Sequence, residues 1–516
     1  MYKLFDHVSI AVLNFGSQYT HLIVRRLREL GVRAEILPPA VTLHEITDRG
    51  YEALILSGGP QDAYKEDALR LDQSLIDSDL PILGICYGHQ LLAIQNGGKV
   101  RRNDAGEYGL KKVTVQTNSP LFQGLPSTIN VWMSHSDTVI EIPEWASPIA
   151  HTDQDQYTAI QYSSTRFSVQ FHPEVYHTEF GTKILDNFVN VSMIERNWDS
   201  QAIYNEVFDN IPDVDGNILL GVSGGVDSTV VAQILHQKFP DQLHCVFVDT
   251  GLMREKEPEY VANLFHSLGF KHFHHVDAKD LFLKRLEGVV DPEEKRKIIG
   301  KTFIEVFEQK AKEIQNQFGP FEYLGQGTIY PDRIESSEPG VHSHVIKSHH
   351  NVGGLPEKME LKLLEPIKEL YKDEVRILGK KLGVPEEFLK RQPFPGPGLA
   401  VRIIGDVTKE KLRIVRKADR ILHEVLEEAG LTNHIWQFFA AYLPISSVGV
   451  MGDARTYDAA IAVRMVDSID GMTADIVNIP KEVLVTISSR IVNEVNGVNR
   501  VFYDITQKPP ATIELE

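Results

Sequence analysis

Short apolar runs alternate with amphipathic segments from the amino terminus onward: VSIAVLNF, SQYTHLIVRRLRELG, AEILP, ALILSGGP, PILGIC and GHQLLAIQNGG follow in turn. The apolar runs read as strands buried on both faces, and the segments between them carry the period of helices. Together they predict a parallel sheet with helical crossovers. VTVQ, INVWMSH and FSVQFHPE add strands, and a helix is expected from Thr178 to Asn197. Residues 199 to 217, with Pro212, Asp213, Asp215 and Gly216, read as a connection. A second alternation then runs through NILLGVS, HCVFVDTG, KHFHHVDA and FEYLGQGTI.

RQPFPGPGLAVRI, from Arg391 to Ile403, is dense in proline and glycine and predicts an extended elbow between domains. Beyond it the pattern gives a helix over 408–429, strands in SSVGVMG and DAAIAVRMV, a helix over 480–496 and the strand NRVFYDI. The expected fold class is α/β. Two open parallel-sheet α/β domains occupy 1–198 and 199–391, and a smaller α+β domain occupies 392–516. No internal repeat or low-complexity tract interrupts this order.

A chain of 516 residues is too long for one hydrophobic core, which agrees with several domains. Its 42% hydrophobic and 24% charged residues are those of a soluble globular protein, with no apolar run long enough to span a bilayer. MYKLFDHVSIAVLNFG passes straight into a strand-like run without a leader pattern, so a cytoplasmic location and no membrane partner are expected. The net charge of −18 disfavours a large nucleic-acid footprint and points to small-molecule chemistry. Two cysteines, Cys86 and Cys245, provide neither a disulfide framework nor a four-cysteine metal site.

In PILGICYGHQLL, Cys86 lies between a buried strand and a helix start, where the turn lifts the sulfur clear and the helix dipole favours a thiolate. The backbone amide of Tyr87 would point toward an oxyanion formed there. In RFSVQFHPE, Pro173 keeps His172 extended, so His172 and Glu174 lie on one side of the chain. That spacing permits a nucleophile, base and orienter. It equally fits an inert buried cysteine and an ordinary HPE turn.

LGICYGHQ and FHPE, with SGGP at 57–60, resemble the class I glutamine amidotransferase family over nearly all of residues 8–190. The resemblance implies that Cys86 attacks the glutamine side-chain amide, with His172 as base and Glu174 as its partner. It also implies an oxyanion loop at Gly59 and Tyr87. The glutamine pocket would include Gln90 and the segment VWMSHSD, with Ser134 and His135.

VSGGVDST, residues 222–229, joins a strand to a helical segment, and its amides can hold phosphate without a lysine. The hydroxyls of Ser223, Ser228 and Thr229 add donors, although a Gly-Gly turn before a helix is often only a turn. The full SGGVDS string resembles the pyrophosphate loop of the N-type ATP pyrophosphatase family, which cuts ATP between its α and β phosphates. The resemblance implies ATP contacts from Ser223, Gly224, Gly225, Val226, Asp227, Ser228, Thr229 and Asp249. Asp227, standing where a Walker-type loop has its lysine, would hold Mg²⁺ against the phosphates, or serve only as a helix N-terminal acid. Mg²⁺ with ATP is expected, and no tightly bound organic cofactor.

The ending KPPATIELE carries two prolines and the strand-like TIEL, which suggests a segment tied into the fold. With PFPGPGL at 393–399 and EEKRKIIG at 293–300, it resembles the GMP synthetase family along essentially the whole chain. That family more often has tryptophan where Leu515 stands. The resemblance implies xanthosine 5′-monophosphate (XMP) as acceptor, with contacts from Arg296, Gln437, Asp453, Lys508 and Glu514, and a homodimer formed through the carboxy-terminal domain. Glutamine, ATP and XMP are the expected small-molecule partners, with no nucleic acid. The histidines in HSHVIKSHHN, 342–351, fit no common closed zinc site, and the segment reads as a mobile stretch by the nucleotide with Lys347 reaching phosphate.

Overall fold

Strands IAVL, ALIL and ILGI are buried at every position, as a parallel sheet covered on both faces requires. They belong to a computed structural model that describes residues 9–337, 361–451, 454–468 and 473–516. The chain packs as two compact units, Met1–Glu206 and Val207–Glu516.

The first unit holds β1 (Ile10–Leu13), β2 (Ala34–Leu37), β3 (Ala53–Leu56), β4 (Ile82–Ile85), β5 (Lys99–Val115), β6 (Thr128–Glu141), β7 (Ser147–His151), β8 (Ala159–Gln161) and β9 (Arg166–Val169). They form one nine-stranded sheet in the order β2-β1-β3-β4-β9-β8-β7-β5-β6. The strands from β2 to β9 are parallel, and those from β9 to β6 are antiparallel. This order makes β3, β4 and β9 consecutive neighbours, although long stretches of chain separate them. Their carboxyl ends therefore meet at one place.

In the second unit, β10 (Asn217–Val222), β11 (Leu243–Asp249), β12 (Phe273–Asp277), β13 (Phe321–Gly325) and β14 (Lys362–Leu364) form a parallel sheet in the order β12-β11-β10-β13-β14. From β10 the chain steps to β11 on one side and later to β13 on the other. The crevice beyond the end of β10 is thus the topological switch point where such sheets place ligands. A third sheet consists of β15 (Gln437–Met451), β16 (Ala454–Asp467), β17 (Asp475–Ile476) and β18 (Val498–Asp504), with β16 antiparallel to β15 and β17 and parallel to β18. The helices Lys409–Glu428 and Lys481–Glu494 supply Leu422, Leu426, Ile487 and Ile491 to the core against it.

The α/β class and the parallel sheet of the second unit are as the alternation predicts, whereas the first sheet is mixed, parallel from β2 to β9 and antiparallel beyond, because β5 to β8 follow one another through short connections rather than helical crossovers. Four local expectations change. The connection at 199–217 contains the helix Ser200–Asn210, started by Asp199, whose Oδ1 accepts from the amides of Gln201 (2.8 Å) and Ala202 (2.9 Å). SSVGVMG is only the tail of the fifteen-residue β15, whose ladder to β16 shifts register between Leu443 and Ser447, around Pro444, and then resumes. The end of the expected elbow is a short 3-10 helix, Gly398–Arg402, with Leu399, Ala400, Val401 and Arg402 buried. One apolar cluster runs from Leu219 and Val246 through Leu399 to Leu412 and Val415, and a second is built from Ile414 to Val498. TIEL is not a strand. Arg464 holds it instead, donating to the carbonyls of Ile513 (2.8 Å) and Thr512 (2.9 Å), and Leu515 packs against the Phe439 cluster. Among the described residues no helix is long and apolar enough to cross a membrane.

Candidate active site

Cys86 caps the helix Tyr87–Gln95 directly after β4, with φ 53° and ψ −102°, a region that few side chains adopt. Close packing enforces this turn. A β-carbon on Gly84 would lie 2.5 Å from the Gly88 carbonyl oxygen, and one on Gly88 would lie 2.5 Å from that of Leu56. Glycine at both positions lets the helix settle onto β3 and β4, which leaves the cysteine at the sharp corner. Its amide donates to Val169 O of β9 (2.9 Å).

His172 lies three residues beyond the end of β9, the strand in register with β4. Its amide donates to Trp132 O of β6 (3.1 Å), and Thr178 donates to its carbonyl (2.6 Å). Nδ1 is 2.7 Å from Glu174 Oε1, and both side chains are buried. Burial opposes protonation of the ring, but Glu174 and the adjacent Cys86 sulfur outweigh it and raise the His172 pKa well above its ordinary value. A proton on Nδ1, held by Glu174, leaves Nε2 for the sulfur. A β-carbon on Gly58 would stand 3.2 Å from His172 Cε1 and 3.5 Å from Cys86 Cβ. Gly58 is thus a site residue that sequence reasoning passed over, although it precedes Gly59 in the quoted SGGP.

The other expected pocket residues divide between two layers. Ser134 O lies 3.9 Å from Cys86 Sγ. A β-carbon on Gly59 would meet Phe15 O at 2.5 Å, so that loop is packed tightly beside the site. The Tyr87 hydroxyl donates to Leu69 O (2.8 Å), and its ring packs on Phe15, which leaves its backbone amide as the group near the sulfur. Gln90 and His135 are buried behind the site. Gln90 Nε2 donates to Asp137 O (3.0 Å), and His135 Nδ1 is 2.9 Å from the same oxygen.

In the second unit, Ser223 follows β10 and Gly225 caps the helix Val226–Lys238. Gly224 has φ +78°, which glycine adopts without strain. The loop is closed by Ser228 Oγ, which accepts from Ser223 N (3.3 Å) and lies 3.1 Å from Ser223 Oγ. Asp227 Oδ2 is 3.3 Å from Lys372 Nζ, while Oδ1 is buried and has no hydrogen-bond partner among the described residues. The Thr229 hydroxyl is buried and likewise without a partner there. An unpaired carboxylate oxygen beside a phosphate-type loop suits a hard cation such as Mg²⁺. Asp249, at the end of β11, accepts from Gly251 N (2.9 Å) and pairs with Lys279 Nζ (3.0 Å).

Two of the expected acceptor contacts, Gln437 and Arg296, meet the segment Thr512–Glu516, which contains a third, Glu514. Gln437 Nε2 donates to Glu514 Oε1 (3.0 Å), and Arg296 donates to Glu516 O (2.6 Å). Lys508 pairs through its backbone with Ala474. Asp453, Lys347 and the histidines at 342, 344, 349 and 350 lie outside the described residues. Two buried cations were missed: Arg402, which holds Glu514, and Lys295, which pairs with Glu516. Arg402 stands out as a charge inside the apolar run GLAVRII, whereas Lys295 lies among charged neighbours in EEKRK and has no local signal.

Family models match in three places: Glutamine amidotransferase class-I at residues 11–191, NAD synthase at 207–298 and GMP synthase C terminal domain at 424–515. Fold, site and matches define a class I glutamine amidotransferase joined to a nucleotide-binding pyrophosphatase-loop domain. A glutamine-hydrolysing GMP synthase of Aquifex aeolicus is 50% identical over 512 residues, covering 98% of this chain and 99% of its own. Those of Thermosipho melanesiensis (51%) and Chlorobium chlorochromatii (48%) also cover 98% of this chain and 100% of theirs. The chain belongs to the glutamine-hydrolysing GMP synthase family, and it is an ATP-dependent amidoligase.

Proposed function

We propose that the protein makes GMP from XMP, ATP and glutamine, releasing AMP, pyrophosphate and glutamate. Cys86 attacks the glutamine amide carbon while His172 Nε2 takes the thiol proton and returns it to the leaving nitrogen. Glu174 fixes the ring and stabilises its protonated form. The amides of Gly59 and Tyr87 receive the oxyanion, and water hydrolyses the thioester to glutamate. The 2.7 Å His172–Glu174 contact beside the strained Cys86 corner carries this reading.

The 223–229 loop binds the ATP phosphates, with Asp249 contributing at the next strand end. Asp227 would hold Mg²⁺, which when bound neutralises phosphate charge. XMP attacks the α-phosphorus through its O2 oxygen, pyrophosphate leaves, and ammonia then displaces AMP from C2. Arg296, Gln437, Lys508 and Glu514 are the proposed XMP contacts in the described residues, with Asp453 a further one. A homodimer through the carboxy-terminal sheet agrees with the exposed Val448, Val450, Tyr457 and Phe502, an apolar set that a second copy would cover. A cytoplasmic location is part of the same reading.

The test is product analysis with XMP, Mg-ATP and glutamine. GMP, AMP and pyrophosphate are expected, and Cys86→Ala should lose glutamine-dependent synthesis while retaining synthesis from ammonium salt. ADP and phosphate as products, or loss of both activities in the variant, would overturn the reading.

A further inference from the structure

Between β5 and β6 lies a pair of ionisable side chains, Glu107 and His135, that takes no part in the proposed proton transfers. Glu107 and His135 are direct partners in the β5–β6 ladder, and both are buried. His135 Nε2 is 3.4 Å from Glu107 Oε2, while Nδ1 is 2.9 Å from Asp137 O. A carbonyl can only accept, so Nδ1 carries a hydrogen. Nε2 then faces the Glu107 carboxylate at ion-pair distance, with both atoms buried. Thr152 Oγ1 donates to the other Glu107 oxygen (3.2 Å), which fixes the carboxylate from its far side.

This pair sits where the strand needs support. β6 is the outermost strand of the sheet, and its ladder to β5 is irregular between Arg102 and Glu107, directly before the pair. The residue next to His135 is Ser134, whose carbonyl lies 3.9 Å from Cys86 Sγ. Two residues after it, Asp137 O accepts from Gln90 on the helix that Cys86 caps (3.0 Å). The brace thus ties the segment bearing the Ser134 carbonyl to the element that bears the nucleophile.

We propose that Glu107 and His135 are positioning residues for glutamine hydrolysis: through β6 they hold the Ser134 carbonyl beside Cys86, where it accepts an N–H of the amide under attack. The nitrogen bonded to the attacked carbon is the substrate donor nearest the sulfur, and an acceptor there orients it as it leaves. Displacement of such a group by about 1 Å costs up to about 100-fold in rate. The inference rests on the proposed role of Cys86, and failure of the wild-type enzyme to release ammonia from glutamine would count against that role rather than against the brace.

The test compares wild type, Glu107→Ala, His135→Ala and Glu107→Gln, each as the full chain. Readouts are kcat/KM for glutamine, the ammonium-dependent rate and alkylation of Cys86 by iodoacetamide. Both alanine variants should lose about 10- to 100-fold in kcat/KM for glutamine, with the ammonium-dependent rate and alkylation retained. Glu107→Gln should restore most of the loss, because a neutral His135 Nε2 accepts from the new amide. Wild-type kcat/KM in the alanine variants, loss of alkylation along with it, or no rescue by glutamine would each overturn the proposal. Should the alanine variants fail to fold, Thr152→Val removes only the hydroxyl on Glu107. A fall in glutamine kcat/KM alone then supports the brace, and no fall overturns it.

Discussion

Arg402 and Glu514 are joined by two parallel hydrogen bonds, Nε to Oε2 at 3.1 Å and Nη2 to Oε1 at 3.0 Å. The guanidinium has no exposure to solvent, lies 4.3 Å over the Phe439 ring and stands 3.8 Å from Asp419 Oδ1. It is a planar fork held from beneath, and it sets where the Glu514 carboxylate stands. Arg402→Met leaves two carboxylates facing an apolar side chain. A loss of about 3–5 kcal/mol is expected by urea unfolding, the magnitude for a buried pair broken on one side. Arg402→Lys keeps the charge without the fork and should recover only part of it. A loss under about 1 kcal/mol in the methionine variant would place the pair among weakly coupled surface contacts.

The Cys86 corner rests on Gly84 and Gly88, so its strain can be tested without touching the sulfur. Gly88→Ala places a methyl group 2.5 Å from Leu56 O and 2.6 Å from Leu56 Cβ, both in the core. The helix must lift and carry Cys86 away from His172. Overpacking of this kind costs about 1–3 kcal/mol. Glutamine-dependent GMP formation should fall at least about 100-fold, as expected for a misplaced reacting group, while ammonium-dependent formation persists. Equal loss of both rates would mean that the substitution disturbs more than the corner.

Sequence made much of this site legible because its chemistry is written in short strings at strand ends. LGICYGHQ, FHPE and SGGVDS each combine a strand terminus, a glycine or proline and a reactive side chain, and the apolar alternation predicts a parallel sheet. That β4 and β9 are neighbours, which brings Cys86 to His172, is not in the local pattern. Nor is the layer in which a residue ends up. Ser134 and His135 stand side by side in one motif, yet one offers its carbonyl to the sulfur and the other turns to Glu107. Arg402, Lys295 and Arg464 were illegible for a different reason. A buried cation is explained only by distant partners, and no local period marks it.

His244 predicts a pH dependence of stability in the second unit. Its ring stacks on His272 (centroids 4.5 Å apart) and His274 (5.5 Å), with its Nδ1 3.2 Å from His274 Nε2. Burial, then the neighbouring histidines, lower the His244 pKa from 6.5 to about 4, and burial, with Lys310 and His272, lowers that of His274 to about 4. Between those values the unfolded chain binds more protons than the folded one. Stability from this cluster is therefore fully present above about 6.5 and is lost as pH falls toward 4. Denaturant unfolding across that window should show a steeper decline in wild type than in His244→Phe, whose ring can stack without titrating. Parallel curves would remove the cluster as the cause.

Asp227 separates two roles for an acid at the start of a helix. As the acid in the first turn of Val226–Lys238 it gains from the helix dipole, and that alone is worth about 0.3–1 kcal/mol. Its Oδ1, however, is buried without a hydrogen-bond partner among the described residues, and Lys372 reaches only Oδ2. An orphaned buried oxygen is costly unless something fills it during the reaction. Asp227→Asn keeps the shape and removes the charge. If the oxygen serves Mg²⁺, AMP formation with XMP and ammonium salt should need roughly tenfold more magnesium, as for a coordination contact worth about 1.4 kcal/mol. Unfolding stability should change little. If the acid serves only the helix, the magnesium titration will overlay that of wild type and the variant will simply unfold at slightly lower urea.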